Sequence, residues 1–310
     1  MLYHIFHSTQ FSYQQWVSFS HNLIRLKPRD TPLQTVVDFS LSTDPAITEL
    51  EGYTDYFGNH LHHMLIREPH HHLKVTVRTC IAMDLQALEQ HRGLIEYAKD
   101  VTYGQALHAF KASNPDVIDA KQFCMPSKFI SKMDPALRDY AASSFSLERS
   151  LYESVQEFMG RIYHDFQFVS GFSDVDTPVE AVFEARKGVC QDFAHVAISA
   201  LRSLGLAVRY VSGYIETLPP PGEEKLFGAD ASHAWFAIFI PGYGWFDFDP
   251  TNNIIPYDQH VVLGYGRDYA DIAPMQGVVF GSGRSNVSVT VDVTREEMQI
   301  QTQTQSQSQS

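Results

Sequence analysis

GVCQDFAHVAISALRSLG, residues 188–205, is the stretch from which the fold of this 310-residue chain can be read outward. Residues 189–204 read as a helix closed by Gly205, and residues 178–186 as a shorter helix that Gly188 ends. Cys190 therefore falls in the first turn of the longer helix. Free backbone N–H groups and the positive end of the helix dipole favour thiolate over thiol there. The same N–H groups would stabilise the oxyanion formed when a thiolate attacks an amide or ester carbonyl.

Downstream, residues 207–215, 233–240 and 245–248 have the apolar, β-branched and aromatic character of strands. A Pro-rich loop at 218–222 and a Pro241-Gly242 turn separate them, so an antiparallel sheet is expected beside the Cys190 helix. Acyl chemistry by a thiolate needs a base and proton donor near pH 7, normally histidine, and an acceptor that fixes its tautomer. His233 opens one strand and Asp249 closes the next, and a hairpin would set them side by side. Upstream, residues 85–98 and 146–166 carry helical spacing, the second with a stripe of Leu147, Leu151, Val155, Phe158 and Ile162. The first 85 residues alternate in short runs such as TVVDFSL at 35–41 and LKVTVRT at 73–79, the mark of antiparallel β structure. Near the end, Val287, Val289, Val291 and Val293 alternate with polar residues as one more strand with a single buried face, and QTQTQSQSQS closes the chain as a tail unable to bury anything. The expected organisation is a β-rich domain over 1–85, a helical connection over 86–165, a catalytic domain with a C-terminal strand over 166–295, and a disordered tail over 296–310.

Three motifs then carry a resemblance: GVCQDFAH at 188–195, SHAWFAIFIPGYGWFDFDPTN at 232–252 and GRDYADIAP at 266–274. In this order they resemble the bacterial transglutaminase-like superfamily, whose members are described as candidate cysteine proteases. Arg25 to Pro28, the Gly58-Asn59 turn and the strand near 73–77 are similar to the β-rich region that precedes the catalytic domain in that family. The resemblance implies an α+β fold, a papain-like transglutaminase core preceded by a β-sandwich-like domain. It also implies Cys190 as nucleophile, His233 as acid and base, and Asp249, from the Asp-Pro-Thr motif, as the residue that orients His233. Asp247 shares the side of the strand with Asp249, and the Asp-Pro-Thr resemblance favours Asp249. Amide or peptide hydrolysis is the expected reaction. Transglutamination, in which an amine takes the acyl group, uses the same triad, and a non-catalytic peptide-binding module is the reading outside enzymology. No glutamine stands shortly before Cys190, which leaves Gln191 and Trp235 as nearby side chains for the oxyanion.

Composition sets the outer bounds. With 44% hydrophobic and 19% charged residues the chain can bury one large core or two ordinary ones. Its 36 acidic against 23 basic residues give a net charge of −13, which repels nucleic acid and anionic membranes and leaves a protein or peptide amide as the expected partner. The absence of a signal-like start or long apolar run points to the cytoplasm. No cofactor or metal is expected: there is no EF-hand loop, and Asp174 with Asp176 is too small a cluster for calcium. The histidines at 60, 62, 63, 70, 71 and 72 read as an exposed polar face, since no Cys or carboxylate pattern completes a metal site. Cys80, Cys124 and Cys190 are too few for a disulfide framework, with Cys80 expected in a strand and Cys124 in a loop open to thiol reagents. His195 turns away from the Cys190 face and reads as a packed residue, and Asp192 as a first-turn acid that complements the helix dipole. Trp16 and Trp245 read as core, and Trp235, beside His233, as the tryptophan nearest the chemistry.

Overall fold

The computed structural model describes residues 1–112, 115–130, 134–217, 227–228, 230–281 and 283–296. The loop expected at 218–222 and the closing tail lie outside the described residues.

The amino-terminal alternation folds into six strands: β1 (Leu2–Val17), β2 (Phe19–Ile24), β3 (Gln34–Asp44), β4 (Glu49–Thr54), β5 (His60–Ile66) and β6 (His70–Met83). Helices follow: α1 (Leu85–Ala98), α2 (Tyr103–Lys111), α3 (Pro115–Lys121), α4 (Pro135–Ala142) and α5 (Leu151–Asp165). A short parallel pair, β7 (Gln167–Phe168) and β8 (Lys187–Gly188), flanks α6 (Val179–Ala185) and leads into α7 (Cys190–Ser203). Then come β9 (Val208–Ile215), β10 (Ala231–Ile240), β11 (Gly244–Phe248), β12 (His260–Gly266), α8 (Tyr269–Ile272), β13 (Met275–Phe280) and β14 (Ser285–Glu296).

Two four-stranded sheets, ordered β14-β1-β6-β3 and β13-β2-β5-β4, make a sandwich. Inward side chains such as Tyr3, Ile24, Met64, Val75 and Val293 fill it. The last two strands therefore belong to the amino-terminal body, whereas the sequence reading left the C-terminal strand with the catalytic segment. The reason is edge pairing. β1 would otherwise show an open row of N–H and C=O groups, and β14 covers it from Leu2↔Glu296 to Tyr13↔Ser285. The valine stripe of β14 is also only half covered. Val291 and Val293 are buried, but Val287 and Val289 are exposed, because that end of the strand runs beyond the core.

The second body has an antiparallel sheet, β11-β10-β9-β12, with α7 across it. Phe236, Ile238 and Phe248 meet Phe193, Val196 and Ala197 in its core. Ala106, Leu137, Leu151, Val155, Phe158 and Ile162 share that core, so the helices read as a connection form a packed layer of this second body. Helix α5 begins later than the stripe suggests. Ser150 accepts the Glu153 N–H as N-cap, while Leu147 lies outside the helix, exposed, its carbonyl taken by the Gly104 N–H. At the other end of α7, the buried Arg202 donates to the carbonyls of Val208, Met125 and Arg267 and to Ser127 Oγ, fixing the helix to the start of β9 and to two loops. Gly213 on β9 is obligatory: a Cβ there would lie 2.1 Å from the Val261 carbonyl oxygen and 2.5 Å from the Trp235 ring. Among the described residues no helix is long and apolar enough to cross a membrane.

Candidate active site

Cys190 is the first residue of α7, half-buried, after extended Val189. The turn before it is held by Asp192, whose carboxylate accepts the Val189 N–H at 2.8 Å and a hydrogen bond from Ser173 Oγ. Asp192 thus caps its own helix as well as standing in its first turn, and burial pushes its carboxyl pKa up. Gly188 makes this possible, since a Cβ there would meet the Asp192 carboxylate at 2.6 Å.

His233 stands near the start of β10, and Asp249 follows directly on β11, where a bridge between Asp249 and Ile254 closes the next turn. The hairpin brings them together as expected: His233 Nε2 donates to Asp249 Oδ2 at 2.8 Å. With Nε2 committed, Nδ1 is the ring nitrogen left for the thiol. Burial alone would push His233 down. The hydrogen bond to Asp249 and the nearness of that carboxylate and of Cys190 outweigh this and raise it to about 10. Burial likewise opposes ionisation of Asp249, which is fully buried, yet hydrogen bonds from His233, His260 and Asn252 hold it well below the usual carboxylate range. Histidines buried without such a partner behave in the opposite way. His7 and His195 are both depressed to about 4 by burial.

Two members of this network were not singled out in the sequence. Asn252 Nδ2 donates to Asp249 Oδ2 at 2.7 Å, while Asp249 Oδ1 accepts the backbone N–H groups of Thr251 and Asn252, an Asx-type turn. Asn252 closes the second motif, so its Asp-Pro-Thr-Asn spacing was a usable signal. His260 on β12, 3% exposed, places Nε2 3.2 Å from Asp249 Oδ2, and nothing local in the sequence announces it. His233, Asp249 and His260 lie within 4.8 Å of one another, a grouping that could also hold a metal ion. The N···O distances are those of ordinary hydrogen bonds, and the arrangement accounts for itself as a carboxylate shared by two imidazoles.

The other sequence candidates separate. Asp247, paired with Ala237, sits beside Arg209 and His91 instead of against His233, with its carboxyl raised by burial. Trp235 is fully buried, with its indole N–H directed toward Asp247, so it does not serve an oxyanion at Cys190. Gln191 is partly exposed in the first turn of α7. His195 is packed, accepting the Tyr269 N–H. Cys124 ends a short 3₁₀ turn instead of an open loop, and burial pushes its thiol up to about 11. All three cysteines are free. The histidine group divides between two sheets: His63 meets His21 across β5 and β2, His62 stacks on Phe39, His71 packs on Trp16 and His72 pairs with Asp44.

Residues 3–81 match the bacterial transglutaminase-like N-terminal region, and residues 138–250 match the transglutaminase-like superfamily. Over 301 residues the chain is 36% identical to uncharacterized protein Rv2569c of Mycobacterium tuberculosis, covering 94% of this chain and 92% of that one. It belongs to the transglutaminase-like superfamily. The crystal structure of a candidate cysteine protease from Cytophaga hutchinsonii shares the fold, with a TM-score of 0.73 at 22% identity over 95% of this chain and 90% of that one. A local match, 34% identical over 76 residues, links 24% of this chain to 11% of a protein-glutamine gamma-glutamyltransferase from Pseudomonas aeruginosa.

Proposed function

We propose that the protein transfers acyl groups from protein or peptide amides through Cys190, His233 and Asp249. The observation that carries this reading is the His233 ring, held on one nitrogen at 2.8 Å by the fully buried Asp249 carboxylate, which raises its pKa. In the reaction, the Cys190 thiolate bonds to the amide carbon and the carbonyl π pair moves to oxygen. The oxyanion is met by N–H groups of the first turn of α7, which have no partner within the helix. As the C–N bond breaks, the His233 imidazolium gives its proton to the leaving amine, and a thioester remains. His233, now neutral, takes a proton from the incoming nucleophile, and the thioester collapses to release the acyl product and the thiolate. Asp249 keeps the ring in one orientation throughout, and Asn252 and His260 keep Asp249 in place.

Water as the incoming nucleophile gives amide hydrolysis, the first reading, because it needs no dedicated acceptor site. An amine gives transamidation, and the local similarity to a protein-glutamine gamma-glutamyltransferase favours this as the second reading. Ammonia release and amine incorporation, measured on a glutamine-containing protein with and without added amine, separate the two. In either case Cys190→Ala should abolish turnover with an unchanged circular dichroism spectrum. Turnover retained in that variant overturns the proposal, and peptide binding without any turnover by the wild type leaves a binding module.

A further inference from the structure

The first internal hydrogen bond of α7 runs from the Phe193 N–H to the Val189 carbonyl at 3.1 Å, so the N–H groups of Cys190, Gln191 and Asp192 have no acceptor within the helix. An N-cap side chain usually takes one such group, from the second or third helical residue. Asp84, Thr102, Asp134 and Ser150 cap α1, α2, α4 and α5 in this way. α7 does not follow them, nor does the short α6, which starts after Pro178. The N-cap of α7 is Val189, whose backbone is extended as an N-cap requires, with φ −118° and ψ −177°, but whose side chain accepts nothing.

The turn is held by other means. Asp192, 3% exposed, takes the Val189 N–H at 2.8 Å and the Ser173 hydroxyl on the same oxygen, Oδ2. One residue earlier, the Gly188 carbonyl accepts the Val169 N–H at 2.9 Å. A full capping box works in both directions, from the N-cap side chain to the third helical N–H and from the third side chain back to the N-cap N–H. Here only the return half exists, because valine has no acceptor. It fixes the backbone just before Cys190 and takes none of the three N–H groups that follow.

We infer that Asp192 is a positioning residue for the acyl transfer proposed above, on which this inference rests: with an N-cap that accepts nothing, it holds the first turn of α7 through the Val189 N–H alone and leaves the N–H groups of residues 190–192 to the oxyanion. A side-chain acceptor at position 189 would compete with the oxyanion for those donors.

The test compares two reactions of one thiolate in the full-length chain. With p-nitrophenyl acetate, the Cys190 sulfur bonds to the carbonyl carbon, the π pair moves to oxygen, and p-nitrophenolate leaves as the carbonyl re-forms. With iodoacetamide, the sulfur displaces iodide from a saturated carbon, and no oxyanion arises. Peptide mass mapping reads both rates at Cys190. Val189→Thr exchanges one methyl for a hydroxyl and supplies the competitor: acylation should slow about five- to tenfold, the effect of one hydrogen bond to the same donors, while alkylation stays within about twofold. Asp192→Ala, which frees the Val189 N–H, should also slow acylation more than alkylation, and Asp192→Asn, whose amide oxygen still accepts from Val189, should recover much of the loss. The inference falls if Val189→Thr is acylated as fast as the wild type, if acylation and alkylation fall together, or if Asp192→Asn recovers nothing. Wild-type Cys190 that is alkylated but never acylated removes the acyl-transfer reading, and this inference with it. Should Val189→Thr not fold, Val189→Ser carries the same hydroxyl and is judged by the same outcomes.

Discussion

Replacing Asp249 by Asn keeps the size of the side chain and removes its charge from a site with no access to water. In the wild type, the rise of His233 from 6.5 to about 10 corresponds to roughly 5 kcal/mol in favour of the imidazolium, to which Asp249 and Cys190 both contribute. Without the carboxylate, burial dominates, and His233 should titrate below 6.5, toward the value of about 4 that burial gives His7 and His195. Loss of one partner from a buried, hydrogen-bonded ion pair should also lower stability by about 3–5 kcal/mol near pH 6. The sign of the pH dependence follows. A histidine raised in the folded state stabilises fully below pH 6.5, and that contribution is lost as pH climbs through about 10. The gap between wild type and Asp249→Asn should accordingly be larger at pH 6 than at pH 10. Side-chain NMR titration, with His233→Gln to assign the resonance, reads the first quantity, and urea denaturation at the two pH values reads the second. An unchanged His233 midpoint in Asp249→Asn, or a stability gap equal at pH 6 and pH 10, would refute the reasoning.

Gly213→Ala should give little folded protein, because its Cβ meets the Val261 carbonyl and the Trp235 ring well inside contact distance; soluble yield and circular dichroism report it. Burial raises the thiols of Cys80 and Cys124, so iodoacetamide at pH 7.5 should label Cys190 first, as peptide mass mapping would show. Ser150→Ala removes the N-cap of α5 and should cost about 1 kcal/mol in urea denaturation. His260→Phe keeps a ring beside Trp235 but withdraws one donor from Asp249; kcat on a cleavable amide should fall more than KM changes, with the pH profile displaced, whereas a purely structural loss would scale the whole profile evenly.

Local chemistry made part of this architecture legible. Gly188 and Gly205 bracket α7, and the Pro241-Gly242 turn sets the β10–β11 hairpin, so Cys190 and the His233 hairpin could be placed from punctuation and period, while the choice of Asp249 over Asp247 came from the family resemblance. Leu147 shows where that logic fails: it fits the helical stripe, but the hydroxyl of Ser150 starts the helix after it. Long-range pairing was not legible. His260 reaches Asp249 because β12 lies next to β9, and β14 joins β1 from the opposite end of the sequence; neither register is encoded in a local window.

The pairing of β14 with β1 also has a consequence for the order in which a ribosome delivers this molecule. His4 contacts Glu296 across 292 residues, and everything from α1 to α8 is made between the two strands. Cys190, His233, Asp249 and His260 all leave the exit tunnel before β13 and β14 do. The chemical center can therefore gather while two sheets of the sandwich still lack an outer strand, and β1 waits longest with its edge bare. A stalled or prematurely ended chain would carry Cys190 on a body with open strand edges, which makes such fragments natural targets for chaperones or proteolysis.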